Sequence, residues 1–183
     1  MLRRALVTVA AVVLVGTTLA GCGGDDISGT VGLYDRAPVP AVPDRTSPID
    51  PSLATAGADG QYWAQLTGWS AGDPQPMLIF RLSQAVFAET CFAELGDDAC
   101  PDGFGVIEQP SKLVDVPVEQ LAEVTVVTPQ QQNYAITGAE LFTLAGGGAP
   151  SLEAAEGFEL GEFPFLFTVR GGDVIAANQI WVP

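Results

Sequence analysis

The chain has no histidine, and only one of its seven basic residues is a lysine. Histidine is the commonest general base and the commonest metal ligand in proteins, so its absence removes both from the candidate chemistry of this chain. The 22 acidic residues give a net charge of −15, which excludes nucleic acid as a natural partner because phosphate binding needs lysine and arginine. Direct binding to anionic lipid headgroups is disfavoured for the same reason.

The N-terminal segment contains no acidic residue. Arg3 and Arg4 precede an uncharged apolar run from Ala5 to Val15, and small residues follow up to Gly21. This order is typical of a secretory signal peptide. The run is shorter than the roughly 20 apolar residues of a membrane-spanning helix. We therefore predict a signal peptide over residues 1–21, with a retained anchoring helix and a twin-arginine signal as alternatives.

The predicted signal peptide ends in Leu19-Ala20-Gly21-Cys22. These residues resemble the lipobox of bacterial lipoproteins, and the composition of the whole chain resembles lipoproteins of high-GC Gram-positive bacteria. The resemblance implies cleavage before Cys22, a diacylglyceryl group on its sulfur, and a membrane partner reached through this lipid anchor on the extracytoplasmic face. An ordinary thiol at Cys22 is the alternative. Cleavage would leave 162 residues with a net charge of −17, since two basic and no acidic residues are lost.

Proline is concentrated in the segment that follows Cys22. Five prolines fall within fourteen residues, at positions 38, 40, 43, 48 and 51. Such a density favours extended polyproline conformation. We predict a lipidated N-terminus and linker over residues 22–58 and a single domain over residues 59–183, which suits one core at this length. Within the linker, the apolar residues between Ile27 and Tyr34 allow a strand or a segment docked on the domain.

Cysteine is scarce, and only Cys91 and Cys100 remain once Cys22 is set aside. Two cysteines in an exported protein normally form a disulfide. A redox-active dithiol usually has the closer C-x-x-C spacing. We therefore predict a structural disulfide that holds the acidic loop 97–102 against a helix.

Alternation of apolar and polar residues is the main secondary-structure signal. It predicts strands over residues 61–67, 77–83, 104–108, 123–128, 133–137, 163–170 and 174–182, the last two joined by the Gly171-Gly172 turn. A run from Val114 to Val118 also alternates, but Pro117 restricts it to a sheet edge or a bulge. A helix is predicted after an N-cap at Ser83 and up to Gly96. A capping box at Thr137 predicts another, up to Ala145.

Many short strands with one or two short helices predict a mainly β fold. We expect a small curved antiparallel sheet, or an OB-like barrel if that sheet closes.

Few residues suggest chemistry. Asp97, Asp98 and Asp102 are weak candidates for a Ca²⁺ site, but they lack EF-hand spacing and a solvated loop is favoured. Residues 68–72 match the nucleophile-elbow pattern G-x-S-x-G, which needs a histidine partner, so we interpret them as a turn. Trp69, in that turn, is the aromatic residue we expect to be exposed and available to a ligand. Four glutamates at positions 153, 156, 159 and 162 are interpreted as an exposed acidic loop.

These observations favour a non-catalytic domain of the cell envelope that binds a protein or a small ligand. We predict no catalytic residue and no cofactor. A hydrolase that uses only carboxylates is one alternative, and it requires two acidic residues facing each other across a cleft. A purely structural surface protein is the other.

Overall fold

A computed structural model describes residues 30–31, 36–43, 58–128, 130–150 and 160–182. The predictions for the signal peptide and for Cys22 lie outside the described residues, as do those for Glu153, Glu156 and Glu159. The strands are β1 (Thr30–Val31), β2 (Gly60–Ser70), β3 (Met77–Phe87), β4 (Phe104–Pro117), β5 (Glu123–Val127), β6 (Asn133–Ile136), β7 (Ala149–Pro150), β8 (Phe165–Arg170) and β9 (Asp173–Gln179). The α-helices are α1 (Ala88–Leu95) and α2 (Gly138–Ala145).

Seven strands form one sheet in the order β4-β3-β2-β8-β9-β5-β6, and β1 pairs with β7 separately. The mainly β prediction is therefore confirmed. The expectation of a wholly antiparallel sheet is wrong, because β5 runs parallel to β9 and β1 runs parallel to β7. The barrel is also not formed: within the described residues, the edge strands β4 and β6 do not pair with each other. Apolar alternation indicates which side chains share a face, but it contains no information about which strands become neighbours.

The first three strands of the domain are longer than predicted. β2 continues to Ser70, so Gly68 and Trp69 lie in a strand and pair with β3, and the turn comes after them. β4 joins two predicted strands into one, because its pairing with β3 continues across a register shift between Arg81 and Ser83. The prediction that Pro117 belongs to an edge strand is confirmed, since Pro117 is the last residue of β4.

Helix α1 begins at Ala88 and not after Ser83. The residues from Gln84 to Phe87 continue β3 and pair with β4, so the predicted N-cap at Ser83 is wrong. Tertiary pairing here prevails over local helix propensity. The predicted helix end is confirmed: Gly96 has φ 82°, a conformation that glycine adopts without steric cost.

Helix α2 begins at the predicted capping box. The Glu140 amide donates to Thr137 Oγ1 (3.2 Å), and the Thr137 amide donates to Glu140 Oε2 (2.7 Å). The helix packs against a short 3₁₀ helix, Val118–Gln120. A Cβ atom on Gly138 would collide with the backbone oxygen of Val118, so this close approach requires glycine.

Two apolar clusters lie on opposite faces of the sheet, because successive side chains of a strand point to opposite sides. The main core contains residues from all seven strands, covered by Leu141 and Leu144 of α2. The second core is smaller and contains Trp63, Ala85, Leu166 and Ile180. Val42, from the proline-rich segment, packs against this second core.

The predicted disulfide between Cys91 and Cys100 is confirmed, with a Cα–Cα distance of 6.0 Å and both residues fully buried. Cys91 lies in α1, and Cys100 directly follows a 3₁₀ turn, Asp97–Ala99. The disulfide therefore links the acidic loop 97–102 to a helix, as predicted. In the described part of the chain, no helix is long and apolar enough to cross a lipid bilayer.

Candidate functional site

A cavity of about 370 Å³ lies beside the second core. We call it the apolar pocket, and its lining residues are Val39, Val42, Phe87, Val127, Gln131, Asn133, Gln179, Ile180 and Trp181. Six of these side chains are hydrophobic and three are neutral amides. None of the nine residues has an ionisable side chain.

Strand ends supply most of the pocket wall. Phe87 is the last residue of β3, Val127 ends β5, Asn133 begins β6 and Gln179 ends β9. Ile180 follows directly and is held by a hydrogen bond from its amide to the carbonyl oxygen of Pro164 (2.8 Å). Because these positions belong to a hydrogen-bonded sheet and its ends, this wall is part of the rigid scaffold.

The remaining wall comes from residues 36–43, which we call the strap. The backbone of Arg36 forms an isolated antiparallel β-bridge with Tyr134, and the Ala37 amide donates to the carbonyl oxygen of Asn133 (2.9 Å). Asn133 Nδ2 donates to the carbonyl oxygen of Pro38 (3.4 Å). Val42 then packs on the second core. Part of the segment predicted to be a linker therefore contacts the domain and contributes Val39 and Val42 to the pocket.

Gln179 lines the pocket, and its side chain is hydrogen-bonded to backbone groups of three neighbouring residues. Its side chain is fully buried. Nε2 donates to the carbonyl oxygens of Gly161 (2.9 Å) and Phe163 (3.4 Å), and Oε1 accepts from the Val127 amide (3.1 Å). These bonds connect β9 to β5 and to the segment before β8, so Gln179 presents a neutral and already hydrogen-bonded amide to the pocket.

Trp69, predicted to be exposed, is half-buried. Its ring lies edge-on to Phe142 of α2, with ring centroids 5.5 Å apart. It lines a second cavity of about 380 Å³, where Glu162 is the one ionisable residue among the described lining residues. A third cavity of about 320 Å³ lies between Pro76 and Thr137, and of its seven lining residues Glu119 alone is ionisable. Among the described residues, none of the three cavities is lined by two carboxylates.

The three aspartates considered for Ca²⁺ are all exposed on the disulfide-linked loop: Asp97, Asp98 and Asp102. Across residues 30–31, 36–43, 58–128, 130–150 and 160–182, no three His, Cys, Asp or Glu side chains cluster in a way that could hold a metal ion. The described residues of this loop therefore do not form a set of Ca²⁺ ligands.

Sequence reasoning did not find the apolar pocket. Val39 and Val42 lie in a segment interpreted as linker, while Val127 and Ile180 belong to patterns that predict ordinary core strands. No local motif connects residues more than 130 positions apart, so only the fold brings them together.

Searches against protein-family models, curated proteins and solved structures found no match to this chain.

Proposed function

We propose that this chain is a membrane-anchored cell-envelope lipoprotein whose β-rich domain binds a ligand and catalyses no reaction. The apolar pocket is the observation that supports the binding role. Its volume of about 370 Å³ falls in the range of small-molecule sites, roughly 300–1,000 Å³. Its lining of hydrophobic side chains with a few neutral amides is also typical of such sites.

The same lining argues against catalysis in the pocket. General acid–base catalysis needs a side chain that can exchange a proton with the reacting group, and covalent catalysis needs a nucleophile. The nine lining residues provide neither. A carboxylate-dependent hydrolase would place two acidic groups around one cleft. Among the described lining residues, the apolar pocket has no acidic group, and the other two cavities have one each. A binding role therefore agrees best with the chemistry of these cavities.

The anchor would keep the pocket near the bilayer. Thirteen residues lie between Cys22 and Arg36 at the start of the strap, so fourteen residue steps join the two. A chain of that length spans at most about 50 Å when fully extended, and about 20 Å on average as a flexible coil. A domain whose strap is docked thus faces ligands that are in the membrane, or that leave it, within a few tens of ångströms.

We expect Cys22→Ser to abolish membrane anchoring. Two acyl chains on one residue anchor a protein stably, whereas none leaves only weak contacts for a strongly acidic domain. Detergent phase partitioning and intact mass should show the wild type as cleaved, acylated and membrane-bound, and the variant as unacylated. Gly24→Ser is the matched control and should behave like the wild type. Equal partitioning of the wild type and Cys22→Ser would contradict the anchor.

We expect a photo-crosslinking amino acid at position 39 to capture a ligand in intact cells. Val39 lines the pocket mouth and is 70% exposed, so the replacement leaves the core unchanged. The matched control is position 113, where Leu113 is 56% exposed on the edge strand β4. A ligand-binding domain should show a discrete mass increase at position 39 only. Equal labelling, or none at either position, would favour a purely structural role.

A further inference from the structure

We infer that the apolar pocket takes an uncharged small molecule whose buried part is hydrocarbon, and that the strap forms one wall of this site. The inference deepens the proposed function and rests on its binding role. It does not depend on the lipid anchor.

The charge of the ligand follows from the lining residues. A charged group that enters the pocket would lose its hydration, and no ionisable side chain among the nine lining residues could pair with it. The excess of acidic over basic residues in the chain adds long-range repulsion against an anion. Both effects therefore disfavour an anionic ligand, and the nine described lining residues offer no carboxylate to a cationic one.

The polar groups of the pocket are largely engaged in holding the fold. Gln179 uses both amide atoms in hydrogen bonds to the backbone, and Asn133 donates to the carbonyl oxygen of Pro38. Gln131 is exposed, on a turn at the edge of the pocket. The contacts open to a ligand are thus dominated by the hydrophobic side chains, including Phe87 and Ile180. Shape and apolar burial, and not a polar pattern, would select the ligand.

The strap gives a second and independent indication that the buried part of the ligand is hydrocarbon. Val39 lines the pocket yet is 70% exposed, which makes it the most exposed large hydrophobic side chain of the described residues. A hydrocarbon ligand in the pocket would cover Val39. Pro38, Pro40 and Pro43 have no backbone N–H, so the strap can donate few hydrogen bonds to the sheet. Val42 of the strap packs on the second core, and an apolar ligand in the pocket would extend this apolar contact.

Two fluorescent probes with the same aromatic skeleton test the ligand class. N-phenyl-1-naphthylamine is uncharged, and 8-anilinonaphthalene-1-sulfonate differs from it by one sulfonate. Each is titrated into the mature chain carrying Cys22→Ser, so that no acyl chain on the protein competes. We expect saturable binding of the uncharged probe and binding of the sulfonate that is weaker by about tenfold or more.

A charge at the pocket mouth tests the location. Val39→Asp should weaken binding of the uncharged probe by about tenfold or more. Leu113→Asp places the same carboxylate at an exposed leucine that does not line the pocket, and it should change binding of the uncharged probe by less than about twofold. Thermal unfolding of both variants checks that they are folded, as their exposed positions predict.

Every outcome of these titrations decides the inference. Selective binding of the uncharged probe that is lost only in Val39→Asp supports it. Equal affinity for both probes overturns the ligand class but leaves the binding role intact. No binding of the uncharged probe, equal loss in both variants, or no loss in Val39→Asp overturns the site. If position 39 still crosslinks a ligand in cells, the binding role survives; if it does not, the proposed function fails as well.

Discussion

A chain that ends at Gly172 will not fold. Such a truncation removes β9, which lies between β8 and β5 in the middle of the sheet. Five of its seven residues are buried, and its loss would leave β5 and β6 paired only with each other. A two-stranded hairpin is marginally stable in water by itself. The expected loss therefore exceeds the whole folding free energy of a small domain, about 5–15 kcal/mol.

Circular dichroism and urea titration measure this effect directly. The matched control inserts two glycines between Gly171 and Gly172, which keeps β9 and lengthens only the turn. Loop-closure entropy then costs less than about 1 kcal/mol, so this variant should remain folded. The bond from the Gly171 amide to Asp59 Oδ1 (2.7 Å) precedes the insertion and is retained. A truncated chain with an unchanged unfolding transition would show that β9 is dispensable.

Phe80→Ala will lower the free energy of unfolding by about 3–5 kcal/mol. Phe80 is fully buried in β3 within the main core. Its ring meets Phe165 and Phe167 of β8 edge-on, with centroid distances of 5.5 and 4.6 Å. The substitution removes both aromatic contacts and leaves a cavity in the main core, where the close packing of the surrounding side chains limits collapse.

Leu113→Ala is the control for this substitution. It also truncates a hydrophobic side chain, but Leu113 is 56% exposed on β4, so the change should stay within about 0.5 kcal/mol. Urea unfolding of the two variants and their parent gives both values. Equal destabilisation by Phe80→Ala and Leu113→Ala would mean that the aromatic cluster is not the centre of the core.

The strap connects the two halves of the functional proposal. The same eight residues, 36–43, lead from the predicted lipid anchor to the domain and form a wall of the apolar pocket. An insertion or deletion within them would therefore change the reach of the tether and the shape of the pocket together. Substitutions that separate the two effects, Cys22→Ser and Val39→Asp, are for this reason the informative ones.

Local signals predicted well those elements whose ends depend on nearby residues. Thr137 and Glu140 form the expected capping box, Gly96 ends α1, and Gly171-Gly172 turns the chain between β8 and β9. In each case the interacting groups are at most four residues apart, so both partners can be read from one short stretch of the sequence. The start of α1 was wrong because pairing of residues 84–87 with β4, about twenty positions away, decides it.

The sequence by itself determined the β-rich class, the faces of most strands, the capping box of α2, the C-terminal end of α1 and the single cysteine pair of the domain. These depend on side-chain periodicity, on short-range hydrogen bonds and on the count of available thiols. Only the tertiary structure decided the strand order, the parallel pairing of β5 with β9 and the open edge between β4 and β6. It also decided that Val39, Val127 and Ile180 share one pocket. Such contacts join residues far apart in the chain, and no local pattern records which distant surfaces will bury each other.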